Sequence, residues 1–265
     1  MFLKMKNFLI KTNVSYIQKI CLSGLFIALI MILNKVVAIN YIPVLPFVRI
    51  SLGGIALMIF ASFLLGPLFG GIIGGVSDLL GYFIFDPKTY GLFPQITLIY
   101  VLLGVLPYFI FCFVRQIQNK KAIIAVEYSI FAAVFIFLLV FVLTNNSFTL
   151  YGVDYTLELY QKILILGVTA LLFLVIIFTN ILIDKKGKKS NNYFNVYQVS
   201  FAVFLTEVLV TLLFGSFMKS LAFGLSLFLV IFFTQSILMF INIPLNTYIC
   251  LLVMSVSNKY FKVIN

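Results

Sequence analysis

Apolar positions in this chain run in long, nearly unbroken stretches. They do not alternate as in a strand or recur every three to four residues as in a surface helix. Eight stretches are long enough to read as membrane-crossing helices, near 17–38, 50–66, 68–85, 94–114, 122–143, 162–183, 197–215 and 235–257. A span needs about 20 apolar residues, and fewer where neighbours shield it. The stretch 217–234 is apolar too, and too long to belong wholly to the last span. It reads as a helical segment lying at, or dipping into, the outer surface. Polar interruptions mark the turns. Leu65-Gly66-Pro67-Leu68-Phe69-Gly70-Gly71 joins two spans almost without a polar residue, and Pro67 disfavours helix at Gly66, so a tight buried hairpin is expected. Asn40 to Pro46 and Phe85 to Pro94 read as rigid outer loops, 144–161 as a polar, acidic loop, and Asp184 to Asn192 as a basic linker. The first long run lacks a cleavage site and is long enough to span, so no signal peptide is read.

Composition sharpens this picture. Hydrophobic residues make up 63% and charged residues 9% of the 265, where a soluble domain is about half apolar and a quarter charged. Nothing here covers a water-facing surface, which excludes a soluble enzyme, a disordered chain and a secreted disulfide scaffold. The net charge of +11 has a topological reading. With the N-terminus in the cytoplasm, thirteen of the 18 Lys and Arg fall inside, and Lys35, Arg49, Lys88, Lys162 and Lys219 fall outside. That is the positive-inside asymmetry, with both termini cytoplasmic, and it leaves no need for a nucleic-acid partner. The abundance of Lys, Ile, Asn and Phe suggests an AT-rich bacterial genome. The chain has no His, so His-based catalysis and His metal ligation are absent. Cys21, Cys112 and Cys250 lie far apart in apolar runs and read as small buried side chains. No cofactor is expected.

Polar residues inside the spans are the candidates for chemistry, because each is costly there. Asp78 lies inside the third span and Glu207 inside the seventh. Asp78 either fixes the bundle through an interhelical bond or lies near a polar cavity; Glu207 is read as pairing with a cation such as Arg49 or with a neutral polar group. Arg49 begins the second span, either as an interface marker or as a two-pronged contact for an anion. Gln95 and Thr97 open the fourth span, and Gln235, Asn242 and Asn246 share roughly one face of the last. These amides suit a polar aromatic ligand or helix-to-helix bonds equally well. Gly66, Gly70 and Gly74 recur at four-residue spacing, and Gly24 is followed by Ala28. Such small residues allow close helix contact, within the chain or with another membrane protein. No GxxxxGK[ST] phosphate loop is present, so energy for moving a solute must come from partners.

Residues 49–107 carry a recognisable pattern. It comprises Arg49-Ile50-Ser51-Leu52-Gly53-Gly54, then Gly66-Pro67-x-x-Gly70-x-x-x-Gly74-x-x-x-Asp78-x-Leu80-Gly81, then Phe93-Pro94-Gln95-Ile96-Thr97-Leu98 and Gly104. This resembles the substrate-binding S component of energy-coupling-factor (ECF) transporters, most closely the folate family. A weaker match returns at Ile243-Pro244-Leu245 in the last span. The resemblance implies an all-α bundle with a six-helix core, formed by 1–115 and 197–265, in one membrane domain. The chain departs from the family in its two further spans, 122–183, which would be an inserted helical hairpin. It also departs near the last proline, where Gln235 and Leu238 stand in place of basic residues.

The resemblance further implies a vitamin pocket open to the outside, a transmembrane scaffold subunit and two ATPase subunits as partners. In that reading Arg49 and Lys88 attract the anionic part of a folate-like vitamin. Tyr82, Phe85, Tyr90 and Phe93 enclose an aromatic ring; Gln95, Thr97, Gln235 and Asn242 read its polar atoms; and Asp78 organises the pocket. Gly24 and Ala28 face the scaffold. An independent secondary transporter is the alternative, ahead of a lipid-modifying enzyme or a ligand-free structural protein.

Overall fold

The computed structural model describes residues 14–39, 50–85, 92–117, 119–187 and 193–261. Helix α1 (Tyr16–Met31) opens on a capping box. The Ser15 side chain accepts from the Gln18 backbone N–H at 3.3 Å, and Gln18 Oε1 accepts from the Ser15 N–H at 2.9 Å. It continues as a wider π turn over Ile32–Val36. Helix α2 (Gly54–Leu65) is followed by α3 (Pro67–Phe85), α4 (Pro94–Val114) and α5 (Lys120–Thr144). Two short strands, β1 (Ser147–Leu150) and β2 (Val153–Thr156), precede α6 (Leu159–Gly187). Then α7 (Tyr193–Thr206) runs through a π segment (Glu207–Phe214) into α8 (Gly215–Phe223). A single 3-10 turn leads to α9 (Phe228–Phe261).

The multi-pass helical bundle read from the sequence is the fold. Among the described residues seven helical runs are long and apolar enough to cross a membrane. The eighth, α2, is shorter than its predicted span. Gly53 holds φ of +91°, a conformation glycine adopts without strain, so the chain turns there and residues 50–53 stay outside the helix. With 12 residues α2 is about 18 Å long, and it is buried almost along its whole length. It forms the central post against which α1, α3, α4 and α9 pack.

Three expectations need correction. Cys112 and Cys250 are buried as read, but Cys21 is exposed on α1. No separate surface segment exists at 217–234. Val196–Phe223 is one continuous run of 28 residues and Leu225–Val256 another of 32. The break between them is Gly224, at φ +126°, so 217–223 extends one span and 228–234 opens the next. Apolarity alone cannot separate two abutting helices; a single glycine does. The stretch 144–161, read as a polar, acidic loop, also contains an antiparallel hairpin pairing Ser147 with Thr156 and Leu150 with Val153.

The glycines of α3 are used internally. A Cβ on Gly70 would fall on the carbonyl oxygen of Gly104, one on Gly104 on that of Gly70, and one on Gly74 on that of Tyr100. Helices α3 and α4 therefore touch backbone to backbone, as small-residue spacing allows. Ser62 in α2 adds a cross-link, its Oγ accepting from the Tyr108 N–H at 3.2 Å. Helices α5 and α6 pack on α7 and α9 through aromatic rings. Phe131 lies 5.1 Å from Phe204 and 5.3 Å from Phe240, and Phe141 stacks on Phe233 at 4.3 Å.

Candidate functional site

The ends of α1, α3, α5 and α8 and the starts of α4, α6 and α9 meet at one end of the bundle, and the candidate site lies there. Asp78 sits seven residues before the end of α3 at Phe85, about 10 Å below it. Thr97, in the first turn of α4, donates its hydroxyl to Asp78 Oδ2 at 2.8 Å. Beside this pair is a small cleft lined by Met31, Asn34, Lys35, Ser77, Asp78 and Tyr100. Lys35 lies close enough for its charge to act on Asp78. Its stem runs over Gly81, where an added Cβ would come within 3.2 Å of Lys35 Cε, so that glycine makes the seat for the lysine.

The π turn at the end of α1 explains how two polar residues reach the cleft. Such turns widen the helix and occur often at functional sites. Asn34 and Lys35 both lie in it. Asn34 Oδ1 accepts from Ser51 Oγ at 2.5 Å, and its amide fills the space that a side chain on Gly54 would take. Ile39 and Ile50 exchange two backbone hydrogen bonds of 3.0 Å, which hold these two residues side by side.

The sequence-predicted residues fall into three groups. Asp78 and Thr97 are brought together. Tyr82 follows Asp78 by one turn on the same face of α3, its ring 5.4 Å from Phe83, and Phe85 is exposed at the helix end. Phe93 is the residue preceding α4 and lies 4.8 Å from Phe223. Gln95 carries a buried Oε1, and Asn242 a buried Oδ1, with no hydrogen-bond partner among the described residues; Gln235 is half-buried on α9. Arg49, Lys88 and Tyr90 lie outside the described residues. Gly24 and Ala28 are exposed on α1, and nothing lies within 4 Å of where a Gly24 side chain would stand. Sequence reasoning missed Asn34, Lys35 and Tyr100. Lys35 was legible as an interfacial charge at the end of a span. Nothing in the sequence distinguished a topology lysine from one folded inward over a glycine.

A second buried polar cluster lies deeper. Glu207, 1% exposed, begins the π segment 207–214. Asn246 donates to its Oε1 at 2.6 Å, and Thr211 donates to its Oε2 at 2.7 Å, with Thr211 also bonded to the Glu207 carbonyl. Of the two pairings expected for Glu207, the neutral polar one is found.

An ionisable group in a membrane segment marks a candidate functional site, and the Asp78 cleft is one. Residues 18–183 match the family model of the ECF transporter, substrate-specific component. The match covers more than half of the chain, which belongs to that family. The chain is also 35% identical over 81 residues to the "Folate transporter FolT" of Clostridium novyi (strain NT), covering 31% of this chain and 45% of that protein. It thus spans less than half the length of the curated relative it matches. No solved structure matches.

Proposed function

We propose that this protein is the substrate-binding subunit of a bacterial vitamin transporter of the ECF type, that its ligand is folate or a related vitamin, and that a scaffold subunit and two ATPases energise it. The observation that carries the ligand half of this reading is the Asp78–Thr97 pair beside Lys35 at one end of the bundle. An acceptor, a hydroxyl and an ammonium converge there, within reach of the aromatic residues Tyr82, Tyr100 and Phe93. An anionic, aromatic solute suits that mixture. Its carboxylates meet Lys35, with Arg49 and Lys88 as the further cations of this reading. Its ring lies among Tyr82, Phe85, Tyr90 and Phe93, where each aromatic pair adds about 0.5–1.5 kcal/mol beyond burial. Gln95, Thr97, Gln235 and Asn242 read ring heteroatoms, and two of these four carry buried oxygens ready to accept. The partial likeness to a folate transporter supports the vitamin class.

The exposed face of α1 serves the partner side. Ile17, Ile20, Leu25 and Leu29 are exposed around Gly24 and Ala28, which gives a smooth apolar strip for a scaffold helix. Both termini are placed in the cytoplasm, so the cleft end faces outward. In domain terms, α1–α4 with α7–α9 form the S-component core, and α5–α6 with their hairpin form an insert.

The test is co-purification from cells followed by mass spectrometry of the bound small molecule. A bound folate-class vitamin supports the reading, and another class of solute replaces it. Reconstituted uptake measured with and without the scaffold and ATPases then separates an S component from an independent secondary transporter. Uptake that ignores ATP sinks the energising half of the proposal.

A further inference from the structure

The turn of the β1–β2 hairpin holds a residue whose conformation the fold works to maintain. Tyr151 and Gly152 connect the strands with φ of +53° and +79°, and Tyr151 is the one non-glycine residue at positive φ among the described residues. Two-residue hairpin turns with both φ values positive favour Asn-Gly or Gly-Gly. A bulky aromatic residue there is strained, and such strain persists only where the surroundings hold it. The Tyr151 ring lies edge-on to Phe223 at 4.6 Å, and Phe223 also lies 4.8 Å from Phe93. Phe93 immediately precedes α4, two residues before Gln95 and four before Thr97, which holds Asp78.

The hairpin has the footing to act as a brace. A two-stranded hairpin alone is marginal in stability, but this one is pinned at its base and along one face. Leu157 N–H donates to the Asn146 carbonyl at 2.8 Å, and Lys162 Nζ donates to Asn146 Oδ1 at 2.7 Å. Phe148 is buried against Tyr155, Phe233 and Phe141. Phe223 is fixed in turn, since it closes α8 just before the Gly224 break.

We propose that the hairpin turn is a positioning element of the ligand site. Tyr151, acting through Phe223, sets the place of Phe93 and so the head of α4 that carries Gln95 and Thr97. The segment between α5 and α6 thereby helps to determine ligand affinity instead of merely linking two helices. This rests on the ligand site being at this end of the bundle, as proposed above.

The decisive variant is Tyr151→Asn, because it separates stability from function. It creates the residue pair that the turn prefers, so the thermal midpoint of the detergent-purified protein is expected to hold or rise. Affinity for the probe, folic acid, is expected to fall roughly three- to tenfold, the range of one aromatic pair. Tyr151→Phe, which keeps the ring, is expected to restore it. A second, ligand-free readout uses the absence of Trp from the chain. In a Phe93→Trp background the single indole is expected to be quenched more strongly by iodide once Tyr151→Asn is added. A wild-type protein that does not bind folic acid defeats the folate assignment, and the quenching comparison then decides this proposal by itself. Unchanged quenching, or unchanged folic acid affinity in a binding-competent protein, overturns it.

Discussion

At the residue scale the Asp78 and Glu207 carboxylates have different surroundings and so different expected behaviour. Asp78 is only partly buried and faces a cleft with Lys35 and Thr97. Lys35→Met is expected to weaken folic acid binding about tenfold or more, in line with about 1.5–3 kcal/mol for a hydrogen bond to a charged group, while the thermal midpoint stays put. Isothermal titration checks the first and a melt the second. Glu207 is fully enclosed and satisfied by Asn246 and Thr211. Glu207→Gln keeps the shape and most of the bonds and is expected to melt close to wild type. Glu207→Ala leaves the Asn246 amide without its acceptor and is expected to destabilise by about 1–3 kcal/mol. A Glu207→Gln variant that folds normally but loses ATP-driven uptake would give the residue a role in transport.

At the scale of elements, the glycine seam between α3 and α4 makes the sharpest prediction. Gly104→Val pushes a branched side chain into the Gly70 carbonyl. It is expected to cost about 1–3 kcal/mol or more by overpacking, read as a lower thermal midpoint and poor recovery from membranes. Gly24→Val, on an open face, is expected to leave the midpoint unchanged. The contrast shows how much the sequence discloses. Helix type and approximate span were legible because 20-residue apolar stretches admit little else. The α3–α4 contact was legible in the four-residue spacing of Gly70 and Gly74 only as one of two options. The break at Gly224 was not legible, because the apolar run continues through it and a lone glycine in a span is common. The β hairpin was hidden for a different reason. Four-residue strands whose buried members are few, such as Phe148 and Leu150, carry too little alternation to stand out from a polar loop. In the site, Asp78 and Thr97 were found because each is unusual at its position, whereas Lys35 required the path of α1 through its π turn.

At the scale of the whole molecule, the Asp78–Thr97 cleft lies toward one end of the bundle and one side of α1 is left apolar and open. In the proposed function ligand and partner use separate surfaces, so their failures are separable. Gly24→Leu and Ala28→Leu are expected to leave folic acid affinity within twofold, yet to abolish co-purification with the scaffold subunit and ATP-dependent uptake. Loss of binding as well would move α1 into the ligand site. The family match through residue 183 takes in α5 and α6, whereas α4 and α2 make their further contacts with α7–α9. A circularly trimmed chain lacking 120–187, joined by a flexible linker, tests which pairs make the core; a folded, monodisperse product assigns that role to α7–α9.

The meeting of Gly70 with Gly104 has one more consequence. The main chains abut there and where Gly74 meets Tyr100, and the Val101 and Val105 side chains key over Gly75 and Gly71, so the two rods interlock. They behave as a welded beam, and Asp78 and Thr97 ride on it at a fixed separation. Any motion of the bundle must therefore bend at other joints, with this beam travelling as a single piece.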